Sequence, residues 1–396
     1  MSLLIKLLIP FIFFNILSFS SLIVFSSGIV YSDEVGTSGY YNGSIEFYLY
    51  YLFISSIIFM LAWAAVPKKI KKIDFELKYE KEIVIMSILF LVYYSIPIFL
   101  NGPAFMIGIN RYVYKELPFA VVCNIKLFLA VFSFIWGAYA SKDKRSFSKF
   151  IKLYITFIFI AICYGEKGSG TVLSFIFFIT GYLIYSTRIR YFKFILIGLL
   201  ASLIVLLVYA MQLYISGVDI EQIGEAFIIR FGRQSQVFWA VFNDRINISS
   251  VDTSIWLNGF NYYNDSLMGG KLIMYNIMPT DQYNAHNGSL AGVFPAILMY
   301  ISNDIFILFL IVVIMSIIYI TPFIFYFLVL MRYKKYYILL PFIVFALTVH
   351  LKIFQSGNIF LITNPKYILF YLVVIFGMSY YIFKRKAHSD LSKIDQ

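Results

Sequence analysis

Apolar runs of 18 or more residues recur along this chain, and a run of that length has few ways of being accommodated. A helix of roughly 20 residues spans the hydrocarbon core of a bilayer, where every backbone N–H and C=O needs an internal partner. The 396 residues are 61% hydrophobic and 13% charged, so the recurrence predicts an all-α polytopic membrane protein, read as one membrane domain over 1–396. Ten transmembrane helices are expected, near 3–30, 47–66, 83–100, 119–140, 150–165, 170–187, 194–212, 304–330, 338–354 and 367–383. No small-residue cleavage site follows the first run, which is therefore expected to be a retained span and not a removed signal peptide. Cys123 and Cys163 both fall inside spans and form neither a zinc nor a disulfide pattern.

Basic residues crowd alternate connections: 67–82, 141–152, 186–193, 331–337 and the tail 384–396. With Lys6 these segments hold 22 of the 32 lysines and arginines, against 7 of the 20 acids. The positive-inside rule then puts both termini and these connections in the cytoplasm. The net charge of +12 is thus a topology signal and does not call for a nucleic-acid partner.

One external connection dominates, the segment 213–303 between the seventh and eighth expected spans. Unstructured loops of about 90 residues are uncommon without a binding or catalytic role, so function is expected there. Its last part, AHNGSLAGVFPAILMYISND (285–304), has an apolar stretch too short to cross a bilayer and is read as re-entrant or interfacial.

Within that loop, FIIRFGRQSQVFWAVFNDR (227–245) concentrates charge. As one helix at about 100° per residue, it gathers Arg230, Arg233, Gln234, Asp244 and Arg245 on one arc, beside an aromatic face of Phe231, Phe238, Trp239 and Phe242. Gly232, costing about 1 kcal/mol in a helix interior, weakens the expectation of continuity. Two readings follow. The arginines either snorkel to headgroups from an interfacial helix, or they form an anion site, since the guanidinium fork binds phosphate bidentately at any working pH.

The other cations expected outside the cytoplasm are Arg111, Lys115, Lys167, Lys271 and Lys366, with Lys126 and Lys352 inside spans. Lys352 is close enough to a boundary to snorkel, whereas Lys126 either lines a polar cavity or pairs structurally. Convergence of several of them would suit a lipid-linked phosphate or pyrophosphate. His286 is the only histidine expected outside, and beside Asn284 and Asn287 it is a candidate proton acceptor, with Asp281, Glu221 and Glu225 as rivals. No metal-binding motif occurs, so neither a metal nor another cofactor is expected.

These residues resemble the bacterial O-antigen polymerases, the Wzy-type oligosaccharide repeat-unit polymerases. Arg230, Gln234, Gln236 and Trp239 in RFGRQSQVFW match an Arg-x3-Gln-x-Gln-x2-Trp pattern of the family's large periplasmic loop. GGKLIMYNIMP (269–279), followed by Gly292, Phe294, Pro295 and Ala296, is similar to the end of that loop. A short hairpin bearing Lys167 and one late, dominant loop complete the likeness, which covers the architecture of the chain but specific residues over only about 80 positions.

The resemblance implies a GT-C-like membrane glycosyltransferase at the periplasmic face of the bacterial inner membrane, using neither metal nor nucleotide sugar. Its donor and acceptor would both be undecaprenyl-pyrophosphate-linked oligosaccharides, with membrane lipid around it and a chain-length regulator protein as a further partner. Arg230 and His286 would be the catalytic pair. Arg233, Gln234, Gln236, Trp239, Arg245, Lys271, Lys126 and Lys167 would hold the pyrophosphate and glycan, with Trp256, Tyr262 and Tyr263 as further stacking candidates. The related O-antigen ligases share the layout and often carry a loop histidine, so His286 also fits that activity. A lipid-linked oligosaccharide flippase is the alternative from another class, although the long loop argues against it.

Overall fold

The computed structural model describes residues 3–32, 35–65, 79–109, 111–120, 126–165, 168–186, 219–244 and 277–281, together with scattered positions at 77, 203–214, 306–321 and 365–380. They are predominantly helical. The elements run α1 (Leu3–Ser26), β1 (Tyr31–Ser32), β2 (Thr37–Ser38), α2 (Ser44–Ala65), α3 (Glu80–Asn101), α4 (Arg111–Tyr114), α5 (Lys126–Ala140), α6 (Lys144–Cys163) and α7 (Gly168–Tyr185). A single 3-10 turn, Ile220–Gln222, then leads into α8 (Ile223–Gly232) and α9 (Gln236–Asp244).

Helices lie at the first six expected spans, because apolar segments of this length satisfy their backbone most simply within one helix. Among the described residues, α3, α6 and the Ser44–Leu61 part of α2 are long and apolar enough to cross a membrane. The outward side chains agree with that setting: Ile85, Leu89 and Val92 on α3, and Ile155 and Phe159 on α6, are exposed although large and apolar. The expected span at 338–354 lies outside the described residues.

One boundary differs in an informative way. The sixth α-helix begins at Lys144, not near 150, because Asp143 caps it by accepting the Ser146 N–H at 2.7 Å. Arg145, Lys149 and Lys152, expected in a cytoplasmic connection, therefore ride on its first turns.

The described elements group into two compact units. One contains α3 to α7. Its core is aromatic: Trp136 donates its indole N–H to Ser87 Oγ at 2.7 Å, and Phe90, Phe132 and Phe157 pack around it. Helices α5 and α7 meet through small residues, with Ser133 and Ser174 hydroxyls 2.7 Å apart. A Cβ on Gly137 would stand 1.9 Å from the Phe178 carbonyl oxygen, and one on Gly181 would stand 2.2 Å from that of Phe134. Small residues are what allow backbones to approach this closely where lipid removes the hydrophobic drive. At one end of this unit Glu80 accepts from Lys142 at 3.1 Å and Lys149 at 2.6 Å, tying α3 to α6 and to the turn before it.

The second unit contains α1 from Phe14 onward, the β1–β2 hairpin, α2, the end of α8, and α9. The hairpin pairs Tyr31 with Ser38 and Ser32 with Thr37. Its turn includes Gly36 at φ 70°, a left-handed conformation that glycine adopts without strain.

Candidate functional site

The arginine-rich segment is an elbow, not one helix. Residue Arg233 still bonds in the α pattern, its N–H reaching Ile229 O at 3.0 Å, but Gln234 and Ser235 tighten to i−3 bonds with Phe231 and Gly232. A new helix starts at Gln236, where the Trp239 N–H reaches Ser235 O at 3.1 Å. The single arc expected from 230 to 245 is therefore broken at 233–235. Arg230 and Arg233 keep their one-turn relation, and Gln234 folds back to donate to Arg230 O at 3.2 Å. The position of Gly232 has a packing cause: a Cβ there would meet Val30 Cγ2 at 2.9 Å.

Serines clamp the elbow to α1. Ser21 Oγ donates to the carbonyls of Phe231 and Gly232, at 2.7 and 3.0 Å, and Ser235 Oγ donates to Ser18 O at 2.6 Å. Ser21 thereby adds a second donor to two carbonyls that already accept the i−3 N–H groups of Gln234 and Ser235. On the other side Ser32 Oγ donates to Gln236 Oε1 at 2.5 Å, and Arg233 Nη2 reaches Tyr31 O at 3.3 Å. Both hairpin contacts come from β1, some 200 residues earlier in the chain.

The aromatic face of α9 is turned into the protein. Trp239, 1% exposed, donates its indole N–H to Tyr40 O at 2.6 Å and meets the rings of Phe25 and Tyr40 edge-on at 5.3 and 5.0 Å. Phe238 packs against Tyr48 and Phe47, and Phe242 against Phe47. Tyr40 OH also donates to Asn243 Oδ1, while Asn42 Nδ2 donates to Trp239 O at 3.4 Å. Fully buried indole and phenyl groups each remove 150–250 Å² from solvent, roughly, which makes this face the main anchor of α9.

The candidate residues thus separate by position. Arg230 is exposed on the last turn of α8, where a cation complements the helix dipole, and Arg233 and Gln234 are half-buried in the elbow. Gln236 and Trp239, the candidates for contact with pyrophosphate or glycan, are both buried and bonded to the hairpin and its flank. The rival bases Glu221, Glu225 and Asp281 are exposed. Lys126 opens α5, with its side chain outside the described residues, as are Lys167, Arg245, Lys271 and His286. The clamp serines and Tyr40 carried no local signal, since each acts only through contact with a segment about 200 residues away.

A predominantly helical protein with helices of membrane-spanning length and a clamped cationic elbow is the class that these features define. No family model matches the chain, and neither a curated protein nor a solved structure matches it.

Proposed function

We propose that the protein is a surface-polysaccharide polymerase of the O-antigen type, a ten-span enzyme of the bacterial inner membrane that joins undecaprenyl-pyrophosphate-linked repeat units at the periplasmic face. In this reading an acceptor sugar hydroxyl attacks the anomeric carbon of the donor glycan. The C–O bond to pyrophosphate breaks as the glycosidic bond forms, and undecaprenyl pyrophosphate leaves with its electron pair.

The supporting observation is the elbow. Arg230 and Arg233 stand one turn apart on a segment held by the Ser21, Ser235 and Gln236 hydrogen bonds, so the backbone that carries their charge is fixed. Cations fixed where leaving-group charge develops reorganise little during reaction, and losing one such group typically costs about 100- to 1000-fold in rate. Arg230 takes the donor pyrophosphate, with Arg233 and Gln234 beside it, and Arg245, Lys271, Lys126 and Lys167 are further candidates for the same anion. His286 accepts the acceptor proton. Gln236 and Trp239 hold the elbow.

Replacing Arg230 by Ala in cells that depend on this protein tests the reading. A polymerase defect leaves single repeat units on the surface anchor. Loss of even these units would indicate a flippase, and polymer stranded on the carrier lipid would indicate a ligase. Unchanged surface polysaccharide would remove Arg230 from the site.

A further inference from the structure

The early start of α6 creates a surface that the polymerase reading does not use. Arg145, Lys149 and Lys152 follow one another at i, i+4 and i+7, so they share one stripe of the helix. That stripe faces a groove of about 390 Å³ between α3 and α6. Besides the three cations it is lined by Ser148 and Thr156 of α6 and by the apolar side chains of Val84 and Ile88 of α3 and Leu153 of α6. No acid lines it. The adjoining depression toward Tyr79 shares Arg145 and Lys149 with it and is lined by Glu80, Glu82 and Asp143 as well.

The cations differ in what holds them. Lys149 is paired with Glu80 at 2.6 Å. Arg145 and Lys152 are exposed and make no ion pair among the described residues. Seven residues of helix separate them by about 10 Å along the axis, room for a headgroup phosphate with its glycerol. Immediately beyond, the outward side chains become those of a membrane-facing helix, Ile155 and Phe159.

We infer that the groove between α3 and α6 is a binding site for one anionic phospholipid, whose phosphate lies between Arg145 and Lys152 and whose acyl chain runs along Val84, Ile88 and Leu153. Charge complementarity selects the occupant: a groove lined by three cations, by apolar side chains and by no acid, with Arg145 and Lys152 in no ion pair among the described residues, suits an anionic headgroup on a chain. A basic groove between membrane helices is a known kind of lipid site, and each Lys or Arg near the surface strengthens attraction to anionic lipid.

The experiment titrates the full-length protein in detergent with phosphatidylglycerol and with phosphatidylcholine of identical chains, counting bound lipid by native mass spectrometry. Phosphatidylglycerol is expected to bind about tenfold tighter or more, and the double variant R145Q/K152Q to lose that preference. Both residues are exposed, so the variant is expected to fold. Ile88→Trp, which fills the apolar end, is expected to weaken phosphatidylglycerol binding with both cations intact, and it carries the test if the double variant does not fold. Millimolar inorganic phosphate is expected to displace nothing. Equal binding of the two lipids, a preference that survives R145Q/K152Q, unchanged binding in Ile88→Trp, or displacement by phosphate would each overturn the assignment.

Discussion

Ser32 on the first strand of the hairpin gives its hydroxyl hydrogen to the side-chain oxygen of Gln236 at 2.5 Å, with both residues buried. The bond ties the start of α9 to a segment 204 residues earlier and fixes the direction in which the chain leaves the elbow. A polar pair in this position contributes to placing Arg230 and Arg233 without itself touching a substrate.

Gln236→Ala leaves the Ser32 hydroxyl buried without this acceptor, and an orphaned buried group of that kind costs about 1–3 kcal/mol. The expected result is a lower unfolding temperature and less protein in the membrane. Polysaccharide output is expected to fall in proportion to protein level, whereas Arg230→Ala is expected to lower output at unchanged protein level.

Trp239 separates anchoring from sugar stacking. Trp239→Phe keeps much of the ring contact with Phe25 and Tyr40 but loses the N–H bond to Tyr40 O, a change of about 1 kcal/mol. Trp239→Ala removes the whole buried ring, at about 3–5 kcal/mol. Activity per folded molecule is expected to be near normal in the Phe variant; a large fall there with normal thermal stability would return Trp239 to the glycan.

Gly137→Ala places a methyl group 1.9 Å from the backbone oxygen of Phe178, which no rotamer change relieves. The α5–α7 pair must separate, and overpacking of this kind costs about 1–3 kcal/mol or more. Thermal unfolding in detergent should show the loss, while Gly224→Ala, where a Cβ meets nothing within 4 Å, should not.

Much of this fold was legible in the chain, because an apolar run of span length leaves the backbone little alternative to a helix. The same rule misplaced the start of α6: it follows hydropathy, and the helix begins where Asp143 caps it, among charged residues. Gly232 correctly weakened the continuous helix, but its reason, the closeness of Val30, is a tertiary fact. Gln236 and Trp239 illustrate the limit most clearly. A glutamine and a tryptophan beside arginines have the chemistry of a glycan site, and nothing local in the sequence signals their bonds to Ser32 and Tyr40.

Asp143 supplies a pH-dependent readout. The Ser146 backbone N–H holds its carboxyl below the usual Asp range. A pKa lower in the folded than in the unfolded protein means that the cap's contribution is complete above the ordinary Asp value and fades as pH falls through the folded one. Asp143→Ala should cost about 1 kcal/mol near neutral pH, and the gap from wild type should close in acid, as followed by thermal unfolding across pH.

The central claim concerns the cationic elbow, and it is tested most directly by reconstituting the purified protein with an undecaprenyl-pyrophosphate-linked repeat unit and no nucleotide sugar. Wild type is expected to produce a ladder of polymer lengths, with Arg230→Ala slowed about 100- to 1000-fold and Arg230→Lys intermediate. Absence of a ladder from wild type, or an undiminished rate in folded Arg230→Ala protein, would contradict it.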